Sequence, residues 1–246
     1  MSGHSKWSTI KRKKGAADAK RGALFTRLAN GITVAAKQGG GDPETNFSLR
    51  LAIDKARDGN MPAANIERAI KRGTGELAGE KPPEEITYEG YGPSGVALLI
   101  ECLTDNRNRT VSAVRSTITK RGGSLGESGS VAYLFMTRGV MSLPIGDHNP
   151  EEMELAAIEA GAADVFREEG TIEVETARDD FAAVREALGK DYEIASSELV
   201  PVASASVPVT DAKLARSVVE LMSELEELDD VVTVSTNAEI EPSLVA

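Results

Sequence analysis

The sequence predicts an α+β protein with an N-terminal three-helix bundle followed by two α/β domains, the last of which is inserted and ferredoxin-like. Three observations predict this fold class. Apolar residues recur at helical spacing three times before residue 74. From residue 81 onward, strand and helix patterns alternate. In residues 136–205 the strand and helix patterns follow the order βαββαβ, which is the ferredoxin-like arrangement.

Residues 1–80 begin with a basic arm and continue as a small helical bundle. In the first helix, Leu24, Leu28 and Ile32 recur at four-residue spacing and form an apolar stripe. Capping residues and helix breakers set the expected bounds. We expect helices at 16–38, 43–58 and 62–72, with Asp42 capping the second and with Gly59 and Gly73 ending the second and the third.

Residues 81–135 and 206–246 each predict an incomplete α/β unit, so we infer one discontinuous domain with residues 136–205 inserted into it. The two outer segments are expected to form strands at 86–89, 96–103, 131–136 and 231–234, and helices at 108–121 and 211–228, capped by Asp105 or Asn106 and by Thr210 or Asp211. The inserted segment is expected to form strands at 139–143, 164–167, 171–176 and 192–200, helices at 151–160 and 179–188, and a linker at 201–208.

The composition excludes several classes of protein. The chain has 246 residues, of which 41% are hydrophobic and 27% charged, as is ordinary for a soluble globular protein. No apolar run reaches the roughly 18 residues of a membrane span. The single cysteine, Cys102, fits a reducing cytoplasm, and with His4 and His148 it offers too few ligands for structural zinc. We expect no cofactor, no metal and no small-molecule substrate.

Charge is distributed unevenly along the chain. The formal net charge of −11, taken alone, argues against a nucleic-acid partner. Residues 1–30, however, contain eight Lys or Arg and one Asp, whereas residues 136–205 contain five basic and sixteen acidic residues. This contrast predicts a basic surface that binds a polyanion and an acidic remainder that repels it.

The basic arm is the most informative candidate site, because Lys and Arg along an arm and a helix can neutralise phosphates and release counterions. The indole of Trp7 can stack on a base. A solvated charge run is the alternative interpretation. The expected nucleic-acid contacts of this segment are Lys6, Trp7, Lys11, Arg12, Lys13, Lys14, Lys20, Arg21 and Arg27.

A second basic group surrounds the predicted helix at 108–121. Its candidate nucleic-acid contacts are Arg107, Arg109 and Arg115. An ordinary solvated helix exterior explains this group at least as well.

Two glycine-rich motifs match catalytic or cofactor signatures but lie in the wrong context. Gly90–Gly95 has the pattern G-x-G-x-x-G, yet it joins two predicted strands, whereas a dinucleotide site needs the motif to open a helix. Gly122–Gly126 has the pattern G-x-S-x-G, yet it follows a helix and precedes a strand, the reverse of a nucleophile elbow. The central strands of the inserted unit also lack the aromatic residues with which RNA-recognition domains stack bases. The sequence therefore predicts a protein that is not an enzyme.

Several longer motifs occur in a distinctive order along the chain. They are Gly3–Trp7 with the four basic residues Lys11–Lys14, then Asn60–Ile70, Tyr88–Ala97, Thr104–Thr110 and Gly126–Val131. Through them nearly the whole chain resembles the YebC/PmpR family, whose mitochondrial relatives are translational activators of cytochrome c oxidase. The resemblance implies an N-terminal helical domain, two α/β domains around a central cleft, and a non-enzymatic role in gene expression.

The resemblance leaves more than one role open. Family members have usually been described as DNA-binding transcriptional regulators, while others resemble ribosome-associated translation factors that contact ribosomal or transfer RNA and assist at proline runs. No helix-turn-helix with a clear recognition helix is evident, so a structured RNA surface suits the arm at least as well as DNA. A protein-interaction scaffold acting through the acidic domain is a further hypothesis. Because Met1 directly precedes the first motif, we expect a bacterial cytoplasmic protein without a transit peptide.

Overall fold

The computed structural model describes residues 21–77, 83–168 and 170–245. Within these ranges the chain is an α+β fold with an N-terminal helical region followed by sheets, which confirms the predicted fold class. The helices are α1 (Arg21–Gly39), α2 (Phe47–Asp58), α3 (Ala63–Thr74), α4 (Arg107–Lys120), α5 (Pro150–Ala160), α6 (Phe181–Leu188) and α7 (Ala212–Glu226). The strands are β1 (Glu84–Tyr91), β2 (Ala97–Thr104), β3 (Ser124–Leu125), β4 (Phe135–Pro144), β5 (Asp164–Glu168), β6 (Thr171–Ala177), β7 (Ser196–Ala203), β8 (Val207–Val209), β9 (Val231–Thr236) and β10 (Ala238–Ile240).

Helices α1, α2 and α3 pack together around the apolar side chains that their sequence pattern places on one face. Ile32 of α1 and Leu49 and Ala56 of α2 are completely buried. Burying an aliphatic side chain of this size contributes about 1.5–3 kcal/mol relative to leaving it exposed. The helical bundle and the sheet that contains β9 belong to one compact unit, in which α1 contacts β9.

Helix α2 begins later than the sequence predicts. Asp42, the expected cap, lies in a turn where its carboxylate accepts a 2.9 Å hydrogen bond from the Glu44 N–H. The cap is Asn46, whose side-chain oxygen accepts from the Leu49 N–H at 3.0 Å while its amide group donates to the Ala35 carbonyl at 2.8 Å. An asparagine can make both contacts because it is both acceptor and donor, whereas an ionised aspartate only accepts.

Gly73 does not end helix α3, which continues to Thr74 and is followed by Gly75 in the left-handed region, at φ 79°. Gly73 instead allows α3 to approach α1. A Cβ at this position would lie 2.5 Å from the carbonyl oxygen of Thr33 and 2.8 Å from Cβ of Ala36. The glycine that the sequence offers as a cap is therefore a packing residue.

The four-stranded sheet that contains β9 has the antiparallel strand order β3-β1-β2-β9 and packs against α4 and α7. Strands β1 and β2 pair along their whole length, from Glu84 opposite Thr104 to Tyr91 opposite Ala97. The core of this domain contains Leu98 and Ile100 of β2, Ile118 of α4, and Leu221 and Met222 of α7.

The predicted linker at 201–208 is largely strand. Strand β7 extends to Ala203, and β8 pairs in parallel with β10, where the Val207 N–H donates to the Asn237 carbonyl at 2.7 Å. Pro208 is tolerated in β8 because each strand of a two-stranded ladder has a free edge.

Residues 136–202 form a second compact unit. Its sheet has the strand order β5-β6-β4-β7, and α5 and α6 connect its strands, which is the ferredoxin-like order. The ring of Phe181 lies against Gly139 of β4, where a Cβ would come within 2.2 Å of the ring. The division into domains at 1–80, 81–135 with 206–246, and 136–205 stays a prediction.

Candidate nucleic-acid interface

Most of the predicted contacts of the basic arm lie outside the described residues. These are Lys6, Trp7, Lys11, Arg12, Lys13, Lys14 and Lys20. Arg21 is the first described residue and the first residue of α1. The arm precedes α1 in the sequence, and contacts of Arg27 and Asn30 hold α1 against the rest of its compact unit.

Arg27 lies partly buried where α1 meets α7. Its Nη1 is 3.5 Å from Oε2 of Glu226, and the two side chains are 23% and 14% exposed. On the next turn of α1, Asn30 donates a 2.9 Å hydrogen bond to the carbonyl oxygen of Asp229. Both contacts tie α1 to the end of α7 and the turn after it, so Arg27 is engaged within the protein.

Arg109 joins the start of α4 to the turn before β9. Its Nη2 lies 2.8 Å from Oδ1 of Asp230 and 3.0 Å from Oδ1 of Asp105, and its Nε lies 3.2 Å from Oδ2 of Asp230. The hydroxyl oxygen of Thr110 is 2.7 Å from the same Asp230 carboxylate. Hydrogen bonding to Asp230, and then the charges of Asp230 and Asp105, raise the pKa of the Arg109 guanidinium. Arg109 therefore has an internal role.

The cations at the end of α4 are paired with carboxylates of α7. Arg121 bonds to both Glu220 and Glu224. Lys120 lies 3.8 Å from Glu224. The hydrogen bond from Arg121 lowers the pKa of the Glu224 carboxyl, so that carboxylate stays ionised beside its two cations. These residues hold α4 against α7 and offer little unbalanced positive charge.

Among the other cations of this unit, four lie at the surface, on α4 or at the end of α3, namely Arg107, Arg115, Lys71 and Arg72. Arg107 lies 4.0 Å from Glu84, but its side chain is 69% exposed. Arg115 is exposed, and the described residues provide no ion-pair partner for it. Lys71 is exposed and Arg72 is half-buried, and both lie at the end of α3. Within residues 21–77, 83–168 and 170–245, neither has an ion-pair partner, and neither is among the predicted contacts.

Glu89 of β1 organises the loop that follows β3. This residue is 6% exposed, and its carboxylate accepts three backbone hydrogen bonds, from Gly129 at 2.6 Å and from Val131 and Ala132 at 2.7 Å each. Burial raises the pKa of the carboxyl, but the three N–H groups outweigh burial and hold the pKa below its ordinary value. The ionised carboxylate is therefore used to fix the loop.

The predicted strand at 131–136 is wrong for the same reason. Val131 and Ala132 donate their N–H groups to Glu89 rather than to a neighbouring strand, and a 3₁₀ turn forms at Ala132–Leu134. Strand β4 begins only at Phe135. The local pattern gives no signal of a buried carboxylate that is distant in sequence.

This 3₁₀ turn presents Tyr133, whose exposed fraction is 74%. On one side of it, the hydroxyl of Tyr91 donates to the Ser130 carbonyl at 3.3 Å. On the other side, Ser204 donates to the Leu134 carbonyl, from its N–H at 2.7 Å and from its hydroxyl at 3.0 Å. The turn is therefore anchored at both ends, and sequence reasoning missed it.

Across residues 21–77, 83–168 and 170–245, no His, Cys, Asp and Glu side chains group as metal ligands. Burial, together with Asp230 and Glu101, raises the pKa of the Cys102 thiol to about 12, so the thiol is protonated at neutral pH and is a poor nucleophile. The glycine motif Gly90–Gly95 joins β1 to β2 through a 3₁₀ turn and opens no α-helix, as the sequence context predicts.

Two family models match the chain. The model described as the TACO1/YebC protein N-terminal domain matches residues 5–76, and the model described as the TACO1/YebC second and third domain matches residues 83–238. The chain belongs to the TACO1/YebC family. The resemblance that the sequence motifs predict is thereby confirmed, and the helical bundle lies within the part that corresponds to the family's N-terminal domain.

Similar proteins match this YebC-family chain over nearly its full length. A probable transcriptional regulatory protein of Idiomarina loihiensis is 52% identical, over 100% of the chain and 98% of the relative. A probable transcriptional regulatory protein of Treponema denticola is 54% identical, over 98% of the chain and 97% of the relative. The crystal structure of a conserved hypothetical protein from Aquifex aeolicus is 45% identical, covers 92% of this chain and 93% of that one, and has a TM-score of 0.82.

In the described part of the chain, every helix is too short or too polar to cross a membrane.

Proposed function

We propose that this YebC-family protein is a non-enzymatic regulator of gene expression that binds nucleic-acid phosphates through its basic N-terminal arm and the start of α1. The names of its relatives from I. loihiensis and T. denticola support a regulatory role. The proposed phosphate contacts are Lys6, Lys11, Arg12, Lys13, Lys14, Lys20 and Arg21, with Trp7 as a stacking residue.

The proposal rests on one observation: cations outnumber carboxylates in residues 1–30, whereas carboxylates bind several of the cations in the α/β part. Residues 1–30 contain eight cations and one carboxylate, and Arg27 is the cation among them that pairs with Glu226 of α7. In the α/β part, by contrast, Arg109 is bound by Asp230, and Arg121 and Lys120 are bound by carboxylates of α7. Counterion release requires cations in excess of carboxylates, and the sequence concentrates that excess in residues 1–30.

The other predicted contacts differ in whether a carboxylate of the protein already binds them. Arg107 and Arg115 are exposed and serve as peripheral phosphate contacts. Arg27 and Arg109 are already held by Glu226 and Asp230, so we assign them to the internal structure.

A structured RNA surface, as on a ribosome, is the second candidate target. Helix α1 follows the arm in the sequence and packs against α2, α3 and β9, and all of its residues from 24 to 36 are buried or half-buried. A recognition helix needs a free face to enter a major groove, and α1 lacks one along this stretch. This favours phosphate contacts on a structured nucleic acid over the reading of a promoter sequence.

Binding at several salt concentrations tests the arm. A variant with Lys11, Arg12, Lys13 and Lys14 all changed to Ala should bind duplex DNA and an RNA hairpin more weakly than the parent, and its salt dependence should flatten by about 0.9 in log–log slope per lost duplex contact. The matched control replaces four exposed cations elsewhere, Arg178, Lys190, Lys213 and Arg216, and should keep the parental slope. An arm variant with parental affinity for both nucleic acids would overturn the proposal.

Sedimentation of a cell lysate with and without nucleases then separates the targets. Co-migration with ribosomes that RNase abolishes identifies an RNA target. Enrichment at promoters that DNase abolishes identifies transcriptional control. A partner that survives both nucleases identifies a protein-interaction scaffold acting through the acidic domain and contradicts the proposal.

A further inference from the structure

The loop around Tyr133 is built to hold one aromatic side chain outward. Glu89 fixes the loop before Tyr133 through the N–H groups of Val131 and Ala132, and Ser204 fixes the carbonyl of Leu134 after it. The backbone on both sides of Tyr133 is therefore anchored, while the side chain itself is 74% exposed. A phenol ring held in this way loses little conformational entropy on binding, since only two side-chain torsions remain free.

The surroundings of Tyr133 distinguish between two kinds of partner. Among the described residues of this compact unit, Tyr91, Tyr133 and Leu214 are the large apolar side chains that are exposed. A protein interface needs a contiguous, well-packed apolar core. The residues beside the turn are instead small or polar, namely Glu127, Ser128 and Gly129, all exposed. The ring therefore has small or polar residues before it and one exposed large apolar side chain close after it in the sequence, Met136 at 50% exposure, and so narrow a surface suits a flat partner that stacks on the ring.

We infer that Tyr133 is a stacking platform for an unpaired nucleic-acid base, with Tyr91 bordering the platform and Glu89 as its positioning residue. This inference rests on the proposed nucleic-acid-binding function and adds a second contact of different chemistry. The arm neutralises phosphates, whereas this loop has an exposed carboxylate, Glu127, and no exposed cation in residues 126–133, so it faces a base rather than a phosphate. Every base has a π-face, so the contact is tolerant of sequence.

Glu89 contributes order without contributing a repulsive surface charge. Its carboxylate is buried and its charge is solvated by three N–H groups, so it fixes the turn without adding a carboxylate to the surface. The platform is thereby organised before binding, which reduces the entropy that binding must overcome.

The test compares a single-stranded oligonucleotide of about twelve nucleotides with a duplex of the same length, both bound by the full chain. Base–aromatic stacking is worth about 1–3 kcal/mol per base, so Tyr133→Ala should weaken single-strand binding by about 5- to 150-fold. Tyr133→Phe keeps the ring and should bind like the parent. Duplex binding and the salt slope should be unchanged in both variants. Leu214→Ala, at an exposed apolar residue of the same unit, is the matched control and should have no effect.

The outcomes separate this inference from the function on which it rests. If the parent binds both oligonucleotides with a steep salt dependence but Tyr133→Ala binds the single strand as the parent does, the stacking platform alone is overturned. The stacking platform is also overturned if Tyr133→Ala and Tyr133→Phe lose the same affinity for the single strand. A loss of duplex affinity in Tyr133→Ala as large as its loss of single-strand affinity would overturn it as well. If the parent and the arm variant do not differ on either oligonucleotide, the proposed function fails. Thermal unfolding confirms that each variant is folded, as the exposure of Tyr133 leads us to expect.

Discussion

The carboxylate of Glu89 accepts a 2.7 Å hydrogen bond from the backbone N–H of Val131, and this contact diverts the chain from the strand that its local sequence favours. Two further N–H groups, of Gly129 and Ala132, converge on the same carboxylate. One buried charge on β1 therefore sets the conformation of a loop that lies far away in sequence.

Replacing this charge should destabilise the protein. Glu89→Gln keeps the size of the side chain but loses the charge that three N–H groups share, and it replaces one accepting oxygen with an NH2 group that only donates. Hydrogen bonds to charged groups contribute about 1.5–3 kcal/mol, so we expect the free energy of unfolding in urea to fall by that amount. Glu127→Gln, at an exposed carboxylate of the same loop, should change it by less than about 0.5 kcal/mol. Equal effects of the two substitutions would contradict the assigned role of Glu89.

The contribution of Glu89 should also depend on pH in a definite direction. Its pKa in the folded protein lies below the ordinary value of 4.5. Its stabilising effect is therefore fully present above the unfolded-state pKa and is lost as the pH falls through the folded-state pKa. Urea unfolding at successive pH values should show a constant difference between the parent and Glu89→Gln near neutrality and a shrinking difference below about pH 4.5. A difference that persists unchanged at about pH 3 would show that the charge does not stabilise the loop.

Asp230 should be more important for stability than its neighbour Asp105. Both carboxylates bind Arg109, but the side chain of Asp230 is 17% exposed and also bonds to Thr110, whereas that of Asp105 is 54% exposed. We expect Asp230→Asn to lower the free energy of unfolding by about 1–3 kcal/mol and to lower the thermal midpoint. Asp105→Asn should cost less than about 1 kcal/mol, as an exposed ion pair does. The reverse order of the two variants would refute this assignment.

Two glycines on packed helices should respond oppositely to alanine. At Gly73 a Cβ would meet the carbonyl oxygen of Thr33 at 2.5 Å, so Gly73→Ala should destabilise the bundle by about 1–3 kcal/mol or more. At Gly31, on α1, a Cβ would meet nothing within 4 Å, so Gly31→Ala should be neutral or stabilise by up to about 1 kcal/mol. Circular dichroism during thermal unfolding measures both. A stable Gly73→Ala variant would mean that α1 and α3 can separate without cost.

Much of the fold could be predicted because the signals are local. The apolar stripe of α1 and the βαββαβ order of residues 136–205 depend on spacings of two to four residues, which the sequence displays directly. The caps illustrate the same point. Asn106 accepts from the Arg109 N–H and Asp211 accepts from the Leu214 N–H, and each was one of two adjacent candidates in the sequence.

The candidate site was less predictable, because charge in a sequence does not show which cations are neutralised in the fold. Arg109 and Arg121 are equivalent to Arg115 by composition, yet the first two meet carboxylates of Asp230 and of α7 that lie about a hundred residues further along the chain. The exposure of Tyr133 likewise depends on Glu89, forty-four positions before it.

By itself, the sequence determined the family, the fold class, the helical bundle and the ferredoxin-like order. It also determined that residues 1–30 are basic in a chain that is acidic as a whole. Only the tertiary structure decided that Asn46 rather than Asp42 caps α2, that Gly73 packs rather than caps, and that Glu89 replaces a strand with an anchored turn. The physical reason is the same in each case. Periodicity and capping act between residues three or four apart, whereas the satisfaction of a buried polar group and the room for a Cβ depend on partners that folding alone brings together.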